Sequence, residues 1–127
     1  MTIRMFPPDG WERYRERRQA IAELLDPRCY SIDWLDLRIL DGAARVFAND
    51  EAVIVTELRE YPSGAREIHG LVAAGDLAAI LTLIDQAEAW GREQELDFAT
   101  IASREGWQRV LSSRGYAPHQ IELRKDL

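Results

Sequence analysis

AREIHGLVAAGD, at residues 65–76, opens the stretch that decides the fold of this chain. A long apolar-periodic run follows as far as Trp90, and then come LDFATIAS at residues 96–103 and REGWQRVLSSRGY at residues 104–116. Turn-forming residues separate these segments, whose periodicities are typical of a strand, a helix, a strand and a helix. Two strands joined by a crossover helix in one sheet predict a right-handed βαβ unit.

Individual residues predict where the first strand ends and the long helix begins. The strand contains Ile68, Leu71 and Val72, and we expect it to end at residues 73–75. Asp76 is placed to cap the helix, because its carboxylate can accept a hydrogen bond from a free amide of the first turn. The helix has an apolar stripe at helical spacing, formed by Leu77, Ile80, Leu81, Ile84 and Ala87.

The second half of the unit is shorter. Residues 98–102 are mostly apolar, as in a buried parallel strand. Ser103 is predicted to cap a last helix that carries Trp107 and Leu111, and Gly115 suits the left-handed conformation that ends a helix.

The chain before this unit predicts helices and an antiparallel meander. Asp9 and Glu12 resemble a capping box for a helix that runs to about Leu25. Residues 31–40 fit either a helix capped by Ser31 or an alternating strand, and we favour a short helix.

Three further segments complete the prediction. Residues 45–48 and 52–59 predict two strands of a hairpin, and residues 61–64 predict a second turn. Residues 1–6 are expected to form an edge strand or a loose end, and residues 116–123 a closing strand or an irregular tail. The fold class is therefore α+β, with mixed α/β character: an antiparallel meander leads into a parallel βαβ pair with flanking helices.

Composition limits the classes of function. We expect one domain at residues 1–127, which is long enough for a single core. A net charge of −6 argues against nucleic acid or an anionic membrane as a partner. The single cysteine, Cys29, fits a reducing compartment, and no apolar run is long enough to span a bilayer. His69 and His119 are far apart in sequence, so we predict no metal, in a soluble cytoplasmic protein.

The order of elements and several motifs resemble a known family. The motifs are Tyr61-Pro62 after the third strand, Ala87-Glu88-Ala89-Trp90 late in the long helix, Ser103-Arg104-Glu105-Gly106-Trp107 with Arg109, Val110 and Leu111, and then Gly115-Tyr116. Over nearly the whole chain, this pattern resembles the GCN5-related N-acetyltransferase (GNAT) fold, with its splayed parallel strand pair. It is more closely similar to the small GNAT-like proteins of tailed phages, prophages and gene transfer agents.

The resemblance implies a position for acetyl-CoA. In GNAT enzymes an Arg/Gln-x-x-Gly-x-Gly/Ala turn at the start of the central helix binds the coenzyme pyrophosphate through backbone amides. The matching residues 73–79 contain one glycine, no basic residue and Asp76, which would occupy the amides and repel a phosphate. We therefore expect a degenerate cofactor loop. By resemblance, the cofactor positions are Leu71, Val72, Ala73, Gly75, Asp76, Leu77 and Ala78.

The resemblance also implies catalytic positions. Many GNAT enzymes carry a general-acid Tyr four residues before the glycine of the last helix, where this chain has Leu111. Some place a general-base Glu on a central strand. We retain Glu57 and His69 as candidates, with Glu60 and Glu67 as further strand glutamates.

Two classes of function follow from these observations. The first is a GNAT-like accessory or virion-associated protein without a cofactor, which binds a protein partner or forms a homodimer through the closing strand. The alternative is an active N-acetyltransferase that transfers an acetyl group from acetyl-CoA to an amine through a variant CoA site. The degenerate loop and Leu111 favour the first class.

Overall fold

The structure is a computed structural model that describes residues 6–127. The described elements, in chain order, are α1 (Trp11–Glu16), α2 (Arg18–Leu24), α3 (Ile32–Leu40), β1 (Ala44–Ala48), β2 (Ala52–Glu60), β3 (Arg66–Gly75), α4 (Leu77–Glu93), β4 (Phe98–Ile101) and α5 (Glu105–Ser112). The predicted edge strand or loose end at residues 1–6 lies outside the described residues, except for Phe6, which is exposed.

The strands form one sheet in the order β1-β2-β3-β4. β1, β2 and β3 are antiparallel neighbours, and β4 lies parallel to β3 after the crossover through α4. This confirms the predicted fold class, with a meander that leads into a parallel pair. β3 ends at Gly75, within the predicted range, and Ala74 and Gly75 pair with Val53 and Ala52 of β2.

The sheet separates two hydrophobic clusters. On one face, helices α1 to α3 pack against Val53, Val55 and Ala74. On the other face, α4 and α5 pack against Ile54 and Ile68. Because successive side chains of a strand point to opposite faces, neighbouring residues of β2 belong to different clusters.

Helix α4 begins as the sequence predicts. Its N-cap is Asp76, whose side chain accepts a hydrogen bond from the amide of Ala79 at 3.1 Å. The buried face differs from the predicted stripe at two positions. Leu77 is 46% exposed, while Leu83 is fully buried, because the helix presents the side that contains Ile80, Leu83, Ile84, Ala87 and Gly91 to the sheet.

The first helix differs from its prediction. Gly10, and not Asp9, is the N-cap, with φ +83 and no side-chain capping bond, so the predicted capping box is wrong. A Cβ at position 10 would lie 2.8 Å from Cγ1 of Val46, which shows how closely this turn packs against β1. The predicted single helix is also divided at Arg17 into α1 and α2. The favoured short helix at residues 31–40 is confirmed as α3, capped by Ser31.

A buried polar cluster joins the three N-terminal helices. The hydroxyl of Tyr14, a fully buried residue of α1, donates to Asp36 of α3 at 2.6 Å. Arg18 of α2 donates to both carboxylate oxygens of the same aspartate at 2.7–3.1 Å. Burial and the carboxylate raise the pKa of Tyr14, because both oppose ionisation of the phenol.

The last helix and the tail differ in part from the prediction. Arg104, and not Ser103, is the N-cap of α5, without a side-chain capping bond. Gly115 has the predicted left-handed conformation, with φ +90. Residues 117–127 form an irregular tail and no strand, and the Arg124–Asp26 ion pair at 2.7 Å holds part of it near the α2–α3 loop. In the part of the chain described, no helix has the length and apolar character to cross a membrane.

Candidate functional site

Glu57 and His69, the two catalytic candidates, lie directly opposite each other on β2 and β3. Both are on the sheet face that carries Val55 and the helices α1 to α3, because the intervening residue Ile68 points into the α4 cluster. The structure therefore brings together two residues that are separated in sequence.

A buried carboxylate connects this pair with β4. Glu67 is 1% exposed, and its two oxygens accept hydrogen bonds from the hydroxyls of Tyr61 at 2.6 Å and Thr100 at 2.7 Å. Nη1 of Arg59 lies 3.6 Å from the same carboxylate. These contacts provide the polar partners that a buried carboxylate requires, and the hydrogen bond to Glu67 raises the pKa of Tyr61.

The Thr100 hydroxyl also lies next to the ring of His69. Thr100 gives its hydroxyl hydrogen to Glu67, because an ionised carboxylate only accepts. The Oγ1 of Thr100 therefore faces Nδ1 of His69, 2.7 Å away, as an acceptor. We infer from this arrangement that Nδ1 carries the ring hydrogen.

His69 is suited to accept a proton near neutral pH. Burial, with a further contribution from Arg59, lowers its pKa below the ordinary value of 6.5, so the ring is neutral at pH 7. Among the described residues, the buried side-chain nitrogen or oxygen without a partner is Nε of Arg38. His69 itself is 6% exposed, and no hydrogen bond joins its Nε2 to another of the described residues.

Glu57 is engaged in ion pairs. One oxygen lies 3.2 Å from Nη2 of Arg38 on α3, and the other lies 3.1 Å from Nε of Arg59 on the same strand. Both oxygens of Glu57 therefore have a guanidinium partner. Glu60, the further strand glutamate, is exposed at the end of β2.

The first of the predicted cofactor positions, residues 71–73, lie at a bulge in β3. Val72 pairs with Val55 and Gly70 pairs with Thr56, so Leu71 has no partner on β2. Pairing with β4 ends at the same place, because the last pair is Gly70 with Ile101 while β3 continues to Gly75. Residues 71–73 therefore border a divergence of the two parallel strands.

The space next to this divergence is small. A cavity of about 30 Å³ on the α4 side is lined in part by Gly70, Ile101 and Tyr116. That volume holds a water molecule or two, and not an extended thioester arm. Leu111 is 4% exposed in the same cluster, where the nearby phenol is that of Tyr116, which donates to Glu88 at 2.8 Å. Burial raises the pKa of Tyr116.

The predicted phosphate position is at the start of α4. Asp76 is the one residue between β3 and α4, so no extended loop is present there to surround a phosphate. Gly75 to Ala78 are exposed, and the Asp76 carboxylate already accepts from the amide of Ala79. Gly75 has φ +125, and a Cβ there would lie 2.3 Å from the carbonyl oxygen of Glu51. Close packing against the start of β2 thus explains this glycine.

Sequence reasoning did not identify Tyr61 and Thr100 as members of the polar cluster. Tyr61 was noted only as part of the Tyr61-Pro62 motif, and both residues meet Glu67 because the turn after β2 and the strand β4 flank β3. A threonine in an otherwise apolar strand was the one available signal. Within residues 6–127, no group of three or more His, Cys, Asp or Glu side chains is placed to hold a metal ion.

Comparisons with known proteins agree on the architecture. No family model matches the sequence, and no curated protein matches it. The structure is similar to a GCN5-related N-acetyltransferase from Ralstonia eutropha JMP134, with 22% identity, 99% of this chain and 97% of that chain covered, and a TM-score of 0.66. It is also similar to ribosomal-protein-alanine N-acetyltransferase from Brucella melitensis biovar Abortus 2308, with 11% identity, complete coverage of both chains and a TM-score of 0.67.

A third similar structure contains the coenzyme. A predicted acetyltransferase from Clostridium acetobutylicum, determined with acetyl-CoA, has 11% identity, covers 87% of this chain with 84% of its own, and gives a TM-score of 0.62. These identities are low, so the likeness concerns the arrangement of helices and strands. The chain has the fold of the GCN5-related N-acetyltransferases.

Proposed function

We propose that this chain is a GNAT-fold protein, related to acyl-CoA-dependent N-acetyltransferases, that does not hold acetyl-CoA in their usual way. The start of α4 carries this proposal. A one-residue connection leaves no loop to surround a pyrophosphate, and the Asp76 carboxylate already occupies the amide of Ala79. The negative charge of Asp76 also opposes an approaching phosphate.

The position of the general acid supports the same proposal. Leu111, at the position of the general-acid tyrosine implied by the resemblance, is buried and cannot transfer a proton. The closer resemblance to small proteins of tailed phages, prophages and gene transfer agents extends the proposal to an accessory role, cytoplasmic or virion-associated. The ligand is then a protein partner or a second copy of the chain.

Thermal denaturation with millimolar acetyl-CoA tests the proposal. We expect no change in Tm for the wild-type chain. A ligand at about 100 times its Kd would add roughly 2.7 kcal/mol to the free energy of unfolding, which is a shift of roughly 10 °C for a chain of this size. Such a shift in the wild-type chain would contradict the proposal.

Two substitutions of Asp76 distinguish repulsion of the phosphate by its charge from occupation of the Ala79 amide by its carboxylate. Asp76→Asn keeps a capping oxygen but removes the charge, whereas Asp76→Gly removes both at a cost of a few tenths of a kcal/mol. If the occupied amide excludes the coenzyme, only Asp76→Gly gains a Tm shift with acetyl-CoA. If repulsion excludes it, both variants gain one. If neither variant gains a Tm shift with acetyl-CoA, the short connection between β3 and α4 explains why the coenzyme does not bind.

A second candidate function is acyl transfer to an amine through a variant CoA site. Two observations favour it: the pairing of His69 with Glu57 across β2 and β3, and the divergence of β3 and β4 beside residues 71–73. Backbone amides there would polarise the acyl carbonyl, while His69 takes the proton of the amine. Transfer of labelled acetyl from acetyl-CoA to amines by the wild-type chain, abolished in His69→Gln, would support this function.

A further inference from the structure

The segment after α5 passes from one face of the sheet to the other. Tyr116 packs with α4 and α5 on one face, where its hydroxyl donates to Glu88. Arg124 forms an ion pair of 2.7 Å with Asp26, in the loop that follows α2 on the opposite face. Residues 117–123 between these points have no regular secondary structure and are all exposed. The segment is therefore attached at its two ends and little constrained between them.

Two ion pairs of complementary charge form the second attachment. The loop between α2 and α3 contributes the anion Asp26 and the cation Arg28. They pair with Arg124 and Asp126 of the segment, respectively, at 2.7 and 2.6 Å. Three of these four side chains are more than half exposed, and exposed ion pairs contribute little to stability. Little free energy therefore keeps the segment on the loop of its own chain.

The segment also exposes large apolar side chains. Ile121 and Leu123 are 85% and 89% exposed, whereas Arg124 contacts the loop. This fits the alternation of an extended chain, in which odd-numbered and even-numbered residues point in opposite directions. Leu24 and Tyr30, which flank the loop, are themselves 48% and 44% exposed. Apolar surface with a charged rim is typical of a contact between proteins.

We propose that two copies of this chain exchange residues 117–127, so that the segment of each copy binds the α2–α3 loop of the other. The same ion pairs then form between copies, because every copy presents both the loop and the segment that complements its charges. Residues 117–123 reach at most about 25 Å when extended, which allows them to bridge to a neighbouring copy. The two segments cross side by side, and Ile121 and Leu123 of one segment pack against those of the other. Burial of these side chains favours the exchanged dimer over the free chain.

The exchanged dimer rests on the proposed function, in which the ligand is a protein, and it identifies that protein as a second copy of the chain. Small-angle X-ray scattering of the full chain measures its mass in solution. At about 1 mM chain, even a contact with a Kd of about 0.1 mM is mostly formed. We expect a mass of twice the 14.6 kDa of one chain. The mass of a single chain at that concentration would overturn the exchange and leave the acetyl-CoA result unaffected, so the two proposals can fail separately.

Two apolar side chains of the segment test where the copies meet. Ile121→Ser and Leu123→Ser should each raise the Kd of the dimer about tenfold or more, because each side chain is exposed in the free chain and buried in the dimer. Leu58→Ser is the matched control, since Leu58 is 49% exposed on the sheet face that carries α4 and should not alter the Kd. A dimer that keeps its Kd in both Ile121→Ser and Leu123→Ser forms through another surface, such as the edge of β4, and would overturn the proposal.

Charge reversal distinguishes exchange between copies from pairing within one chain. Arg28→Asp and Asp126→Arg each break one ion pair, in the free chain and in the exchanged dimer alike, and both side chains are mostly exposed, so the fold is retained. When the two variants are mixed, the exchanged heterodimer regains an ion pair at both loops, whereas the free chains and the homodimers do not. The heterodimer should therefore form about tenfold more tightly than either homodimer.

Native mass spectrometry with one variant labelled with 15N measures the share of heterodimer. We expect a share well above the statistical one for the mixture of Arg28→Asp and Asp126→Arg. The matched control is the double variant mixed with the wild-type chain, where exchange would place like charges together at both loops and the share should fall below the statistical one. A statistical share in both mixtures would overturn the exchange.

Discussion

Gly75→Ala should destabilise the chain by roughly 3 kcal/mol or more. Residue 75 has φ +125, where a side chain adds backbone strain of about 1–3 kcal/mol. The new Cβ would also lie 2.3 Å from the carbonyl oxygen of Glu51 and 2.6 Å from Cα of Ala52, and both are backbone atoms that cannot move without disturbing β2. Urea denaturation, followed by circular dichroism, measures the change.

Two other glycines provide matched controls for this substitution. Gly64 also has a positive φ, +90, but a Cβ there meets nothing within 4 Å, so Gly64→Ala carries only strain of about 1–2 kcal/mol. Gly106 lies in α5 with open space around it, so Gly106→Ala should be neutral or stabilising by up to about 1 kcal/mol. If Gly75→Ala costs no more than Gly64→Ala, this glycine is not required by strand packing, and a ligand role regains weight.

The free energy of unfolding should fall steeply above pH 10. Burial raises the pKa of Tyr14 and of Tyr116 above the ordinary value of 10.0. Above pH 10 the unfolded chain therefore loses two phenolic protons that the folded chain keeps, and alkali favours the unfolded state. Each tyrosine contributes a slope that approaches about −1.4 kcal/mol per pH unit well above pH 10, so the pair removes about 3 kcal/mol between pH 10 and 11.5.

Single substitutions test the two contributions to that slope. Tyr14→Phe and Tyr116→Phe should each remove about half of the slope in urea denaturation measured from pH 9 to 11.5. Tyr30→Phe is the matched control, because its side chain is 44% exposed and shows whether the change to phenylalanine itself alters the slope. An unchanged slope in both Tyr14→Phe and Tyr116→Phe would show that other groups cause the fall in the free energy of unfolding at high pH.

Local signals in the sequence predicted the βαβ unit well. Asp76 before an apolar stripe correctly predicted the start of α4, and Gly115 correctly predicted the left-handed conformation after α5. Both predictions were possible because capping depends on residues close in sequence. The same kind of signal failed at Asp9, where packing of Gly10 against Val46 decided the cap. Leu77 was misplaced because helical spacing defines a stripe but not which edge of it meets the sheet.

The candidate site could be predicted only in part. Glu57 and His69 were recognisable as strand residues with useful chemistry, and they do pair across β2 and β3. Thr100, which contacts His69 and Glu67, is placed by the register of β3 and β4, which are distant in sequence, and a single sequence does not define that register. The bulge at Leu71 has no sequence signature of its own, since a bulge is a property of two paired strands.

That bulge has a consequence for how β3 divides its side chains. Before Leu71 the odd-numbered residues Glu67 and His69 face helices α1 to α3, and after it the even-numbered Val72 and Ala74 do so. The inserted residue thus changes the phase of the strand once, at its middle. A polar half and an apolar half can share one sheet face, and the polar half can vary its chemistry while the core beneath the helices stays the same.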